Sequence, residues 1–106
     1  MTKPKVLFVC SMARLRSKTA AHCLGGLDSD YAGTDGDADK PITQELMDWA
    51  DKIVCMELGH RSKLRREFKG YSQKMQVWGI PDEYNYMDDA LVVILRGKAE
   101  KHLYNF

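Results

Sequence analysis

The sequence predicts an α/β fold: a four-stranded parallel sheet with helices on both faces. Three observations lead there. Short apolar runs of strand length alternate with segments of helical spacing four times along the chain. The first run, Val6-Leu7-Phe8-Val9, is apolar at every position, the pattern of a strand buried in a sheet. No repeat, low-complexity segment or linker interrupts the alternation, so residues 1–106 read as a single domain.

The elements follow in order. The first strand spans about Lys5–Cys10, and a helix from about Ser17 to Gly25 follows, with Ala20, Cys23, Leu24 and Leu27 at helical spacing and Gly25-Gly26 as the stop. A second strand at about Asp30–Gly33 leads into an acidic loop punctuated by Gly36 and Pro41. The second helix, about Thr43–Ala50, puts Ile42, Leu46 and Ala50 on one stripe with Trp49 beside it. The third strand is Lys52–Met56. The third helix, about Gly59–Phe68, is apolar only at Leu64 and Phe68 and so lies mostly at the surface. The fourth strand covers Met75–Ile80, and the last helix, about Asp88–Leu103, buries Leu91, Ile94, Leu95 and Ala99, with Asp88 and Asp89 suiting its N-terminus.

Composition removes several classes of function. A formal charge of +1 offers no bulk attraction to nucleic acid or to a membrane surface. No apolar run approaches the roughly 18–20 residues of a membrane span, and the run after Met1-Thr-Lys-Pro-Lys5 is too short for a signal peptide. Three widely spaced cysteines do not form a disulfide framework, and the expected location is the reducing cytoplasm. His22, His60 and His102 lack ligand spacing, so neither a metal nor a cofactor is expected.

The chemistry concentrates in Cys10-Ser-Met-Ala-Arg-Leu-Arg16-Ser17. A strand ends at the cysteine, a short loop follows, and a helix starts near Ser17. The first N–H groups of a helix have no partners within it, and its dipole favours negative charge there. A thiolate at such a place is stabilised and becomes a nucleophile. Arg16 can offer two parallel N–H donors to an oxyanion, and Ser17 can donate a hydrogen bond to the sulfur. A cysteine closing a buried strand is otherwise an ordinary small core residue, but Cys-x5-Arg-Ser at a strand-to-helix turn is far more specific. It lets one loop wrap a tetrahedral anion while its two ends supply nucleophile and clamp.

Val-Leu-Phe-Val-Cys10-x5-Arg16-Ser17 with the following Thr19-Ala20 resembles the low-molecular-weight protein tyrosine phosphatases, especially their short bacterial-type members. Further resemblance lies in Tyr31-Ala-Gly-Thr34, in Pro41-Ile-Thr43 with Trp49-Ala-Asp51, in Ile53-Val-Cys-Met-Glu57 with His60 and Leu64, and in Ile80-Pro-Asp-Glu-Tyr84. The resemblance implies hydrolysis of phosphotyrosine or small aryl phosphates through a phosphocysteine, with inorganic phosphate as product. It implies Cys10 as nucleophile, Arg16 as clamp, and Ser11, Met12, Ala13, Arg14, Leu15, Arg16 and Ser17 as the phosphate loop. Asp82 stands where the family has its acid, with Glu83 its local rival and Asp88 and Asp89 weaker ones. Tyr84 is expected on the aromatic wall of the substrate pocket, with Tyr86 a less certain second. Pro81-Asp82-Glu83 is also an ordinary turn sequence, and either tyrosine could simply pack.

The chain departs from the family where Gly and Asn are usual inside the loop: it has Met12 and Ala13. The family's Asn takes a left-handed backbone and anchors the loop through its side chain. Ala there costs on the order of 1 kcal/mol and offers no anchor. Lys18 stands for the usual Pro, Ala21 for an acidic residue, and Leu15 where some members keep a backup cysteine. One alternative is therefore a catalytically weak or inactive phosphate-loop protein that binds phospho-ligands. A redox-coupled arsenate reductase needs two further cysteines near the site, and Cys23 and Cys55 read as core. A third alternative rests on the basic run Arg61-Ser-Lys-Leu-Arg-Arg66, which could hold nucleic acid or an acidic partner but more commonly forms a solvated helix face.

Overall fold

The computed structural model describes residues 3–104. Strand β1 (Lys5–Cys10) sits between β2 (Asp28–Gly33) and β3 (Lys52–Cys55), and β3 pairs with β4 (Met75–Val77), giving the order β2-β1-β3-β4 with every pair parallel. The chain moves outward from β1 to β2, then returns across β1 to β3. The reversal puts a crevice beyond the carboxyl ends of β1 and β3, where ligands bind in open α/β sheets.

Side chains of β1 alternate between two cores. Val6, Phe8 and Cys10 join Val54, Met56, Trp78 and Ile80 beneath α1 (Arg16–Cys23) and α4 (Asp89–His102), whose Ala20, Leu91, Leu95 and Ala99 are fully buried. Phe8 and Trp78 meet edge-to-face with ring centroids 5.7 Å apart. Leu7 and Val9 join Ile53 and Cys55 on the opposite face, under α2 (Gln44–Trp49) and α3 (Leu58–Glu67). Helices therefore cover both faces, as the alternating pattern predicted.

Boundaries differ from the sequence reading in instructive ways. Helix α1 ends at Cys23 because Leu24 is already extended, so the expected stop at Gly25-Gly26 comes late. Strand β2 begins at Asp28, two residues early, where the Asp28 N–H donates to Pro4 O. Strand β4 stops at Val77 rather than Ile80, yet Trp78 and Ile80 N–H groups still donate to Cys55 O and Met56 O. Met47, missing from the expected stripe of α2, is fully buried with Ala50, whereas Ile42, Leu46 and Trp49 are half-buried. Ile94 and Cys23 are likewise only partly buried against the α1–α4 core. Thr43 caps α2 through its side chain and Asp88 caps α4.

Gly33, at the end of β2, is where the sheet touches the loop after β1. A Cβ there would lie 2.5 Å from Ser11 O, 2.5 Å from the Ala38 methyl and 3.0 Å from Ala13 N. Two of those neighbours are backbone and cannot swing away. Gly33→Ala is expected to destabilise the fold by about 1–3 kcal/mol, the scale of overpacking, read as a lower denaturant midpoint. An unchanged midpoint would show that the loop has slack.

Candidate active site

The loop from Cys10 to Arg16 leaves β1 and enters α1, and its course is held from behind by the segment after β2. Thr34, Asp35 and Asp39 N–H groups donate to Cys10 O, Ser11 O and Met12 O at 2.9, 3.0 and 3.0 Å. Arg14 Nε reaches both carboxylate oxygens of Asp39, at 3.0 and 3.1 Å. Ala13 has φ 59°, the left-handed conformation expected at the place of the missing Asn, and its methyl is buried. The anchor that an Asn side chain would give comes here from the backbone of residues 34–39.

A cleft of about 150 Å³ opens over this loop, lined by Cys10, Ser11, Met12, Arg14, Leu15, Arg16 and Asp82. Cys10 Sγ lies 3.0 Å from Ser17 Oγ, and both residues are buried. No side chain caps the N-terminus of α1, so no side-chain acceptor takes its first N–H groups. Arg16 is 2 % exposed. Its Nη1 donates to Glu57 Oε2 and to Ile80 O, each at 2.7 Å, and its Nε stands 3.7 Å from Asp82 Oδ1. With Nη1 occupied, the Nε–Nη2 edge of the fork is left for a tetrahedral anion.

The sequence-derived residues separate clearly. Cys10, Ser11, Met12, Arg14, Leu15, Arg16 and Asp82 meet at the cleft, while Ser17 and Ala13 lie beneath it. Asp82 lines the cleft and its neighbour Glu83 does not. Asp88 is engaged as the α4 cap and Asp89 lies in the first turn of that helix. Tyr84 departs from its expected place on the cleft wall: its ring is half-buried against the α1–α4 core, apolar cover that the exposed turn before it lacks. Tyr86 OH bonds His22 Nδ1 at 2.6 Å, with Lys18 Nζ 5.0 Å from its ring, and the neighbouring Met87 N–H donates to Thr19 Oγ1 at 3.0 Å. These contacts fasten the far end of the Asp82 turn to α1.

Glu57 and His60 were not expected at the site. Glu57 is the second residue after the β3 end and the cap of α3, and His60 lies in that helix's first turn. His60 Nδ1 accepts from Glu57 N–H at 3.0 Å, while Nε2 lies 2.9 Å from Ser11 Oγ. The available signal was position: Glu-x-x-His opens the helix beyond the strand beside β1, on the crevice itself. The hydrogen bond from Arg16 holds the Glu57 carboxyl below its ordinary value, and the charges of Arg16 and His60 act the same way against partial burial. Burial holds His60 below the ordinary imidazole value; Arg16 adds to this, and Glu57 and Asp82 oppose it. Burial raises both other thiols, Cys23 and Cys55, the latter to about 12, and neither lines the cleft. Among the described residues no group of three or more His, Cys, Asp and Glu side chains is placed to hold a metal, and no helix is long and apolar enough to cross a membrane.

No family model matches the sequence, and no curated protein matches it. Solved structures do match along nearly the whole chain. SP-PTP, a low molecular weight protein tyrosine phosphatase from Streptococcus pyogenes, superposes with a TM-score of 0.79 at 14% identity, covering 96% of this chain and 95% of that one. The fold is that of the low-molecular-weight protein tyrosine phosphatases. Vibrio vulnificus Wzb in complex with benzylphosphonate matches with a TM-score of 0.74 at 21% identity over 94% and 99% of the two chains. A YwlE mutant from Bacillus subtilis gives 0.71 at 22% identity over 92% and 97%. In this phosphatase fold the cleft sits at the sheet's reversal point, beyond Cys10.

Because His60 and Glu57 both bind protons less readily folded than unfolded, acid weakens the fold. The His60 contribution is whole above its ordinary value of 6.5 and fades as pH falls through the lowered folded value; Glu57 behaves likewise below 4.5. Melting temperature is expected to fall on acidification below 6.5, with His60→Gln removing the upper part of that slope. An identical slope in the variant would exclude His60 as its source.

Proposed function

We propose that this chain is a member of the low-molecular-weight protein tyrosine phosphatase family and hydrolyses phosphotyrosine or small aryl phosphate monoesters through a phosphocysteine. The observation that carries the reading is convergence: Cys10 Sγ beside Ser17 Oγ, the open edge of Arg16 and the Asp82 carboxylate all border one cleft. The Cys10 thiolate, stabilised by the Ser17 hydroxyl, attacks phosphorus in line. The P–O bond to the aryl group breaks, and Asp82 gives its proton to the leaving oxygen. Asp82, now ionised, takes a proton from water, which attacks the phosphocysteine and releases inorganic phosphate and thiolate. Loop N–H groups and Arg16 carry the charge on the equatorial oxygens throughout. No cofactor or metal is needed.

The left-handed Ala13 and the backbone anchor from residues 34–39 support a loop held in shape without the usual Asn. The raised Cys23 and Cys55 thiols argue against a thiol relay for arsenate reduction. The formal net charge of +1 gives little support to a nucleic-acid site on α3. Three free cysteines suit a reducing cytoplasm.

Hydrolysis of para-nitrophenyl phosphate, without metal and with a reductant, tests the reading. Turnover is expected to vanish in Cys10→Ser while phosphate binding persists; full activity in that variant sinks the mechanism. Asp82→Asn is expected to slow aryl phosphates with poor leaving groups by about 10²-fold or more and those with good ones less. Equal slowing across the series would remove Asp82 as the acid. Because a fold neighbour from Geobacillus stearothermophilus is named an arginine phosphatase, phosphoarginine belongs in the substrate panel.

A further inference from the structure

His60 is buried at 6 % exposure, and both of its ring nitrogens are engaged. Nδ1 accepts a hydrogen bond from the Glu57 backbone N–H, so it carries no proton of its own. In the neutral ring the proton then sits on Nε2, which donates to Ser11 Oγ at 2.9 Å. The charged groups facing the ring are Arg16, Glu57 and Asp82. A Ser–His nucleophile pair is excluded by the same geometry, because an Nε2 that already bears a proton cannot take one from Ser11.

The direction of this bond decides what Ser11 can do. Its oxygen receives from His60, so its own proton is turned elsewhere, and the residue lines the cleft between Cys10 and Met12. The two residues after it, Met12 and Ala13, carry no side-chain donor. We infer that the Ser11 hydroxyl donates a hydrogen bond to the phospho group bound in the cleft, and that His60 is the positioning residue that aims it. Ser11 thereby adds a side-chain donor to the loop N–H groups and Arg16, on the side where the loop departs from its relatives. This deepens the phosphate-site reading and rests on it.

Equilibrium binding of inorganic phosphate to the full chain, followed by titration calorimetry, tests the inference without requiring turnover. Ser11→Ala is expected to weaken binding about ten-fold or more, the scale of one hydrogen bond to a charged group. His60→Ala is expected to weaken it similarly, the double variant no further than Ser11→Ala alone, and His60→Gln, whose amide can donate to Ser11, to recover part of the loss. Unchanged affinity in Ser11→Ala overturns the inference, and strictly additive losses overturn the role of His60. A long-range proton–nitrogen correlation spectrum of the unaltered protein reads the ring without any variant: a proton on Nδ1 overturns the argument. An unaltered protein that binds no phosphate overturns the phosphate-site reading itself, an outcome distinct from full-strength binding in Ser11→Ala.

Discussion

A guanidinium withdrawn from water organises this molecule. Arg16 is 2 % exposed, and a buried charge is tolerated only where partners replace its hydration. Those partners come from the carboxyl ends of two other strands: Glu57 just past β3, and Ile80 O and Asp82 past β4. Arg16 itself follows β1. One side chain therefore ties together three chain passages that would otherwise diverge into loops, at the edge of the sheet where a ligand has access. Removing one partner leaves the buried charge less fully compensated. The half-exposed Glu57 carboxylate leaves water on one side of the ion pair, and Arg16 borders the cleft on another.

The loop beside it meets a second constraint. A chain wrapping a small anion must turn its N–H groups inward, and one residue has to adopt a left-handed backbone. An alanine in that conformation is held at a cost of about 1–2 kcal/mol, with no side chain to bind the turn. The strain at Ala13 persists because three N–H groups of residues 34–39 grip the loop carbonyls from outside. Gly33 permits that grip by having no Cβ between the two passages. The apparent defect in the motif is thus compensated from a different part of the chain.

Much of this was legible in the sequence. The apolar run ending at Cys10 located β1, and the spacing to Arg16 and Ser17 located the cleft, because spacing alone decides what a short loop can enclose. Asp82 was legible as a carboxylate beyond the last strand. Other features depend on packing in three dimensions. Tyr84 packs half-buried against the α1–α4 core and does not line the cleft, and nothing local distinguishes the two places. Spacing does not single out Met47, since a six-residue helix is too short for its periodicity to define a face. Glu57 and His60 became meaningful only once β3 lay beside β1, since their partners Arg16 and Ser11 are 41 and 49 residues away in sequence. The grip of residues 34–39 on the loop was invisible for the same reason, as it runs through backbone atoms that every residue type carries.

That grip has a consequence for how the protein fails. The residues holding the loop follow β2, an edge strand whose outer side is met, among the described residues, only at Gly33, by a bridge to Pro41. Edge strands open more readily than central ones, in local excursions that leave the remainder of the fold intact. Each such excursion at the end of β2 frees Cys10 O, Ser11 O and Met12 O together and releases Ala13 from its strained conformation. The cleft is therefore built partly on an edge strand of the sheet. Backbone amide exchange at Thr34, Asp35 and Asp39 reports the opening of the site, whereas exchange along β1 reports the unfolding of the molecule.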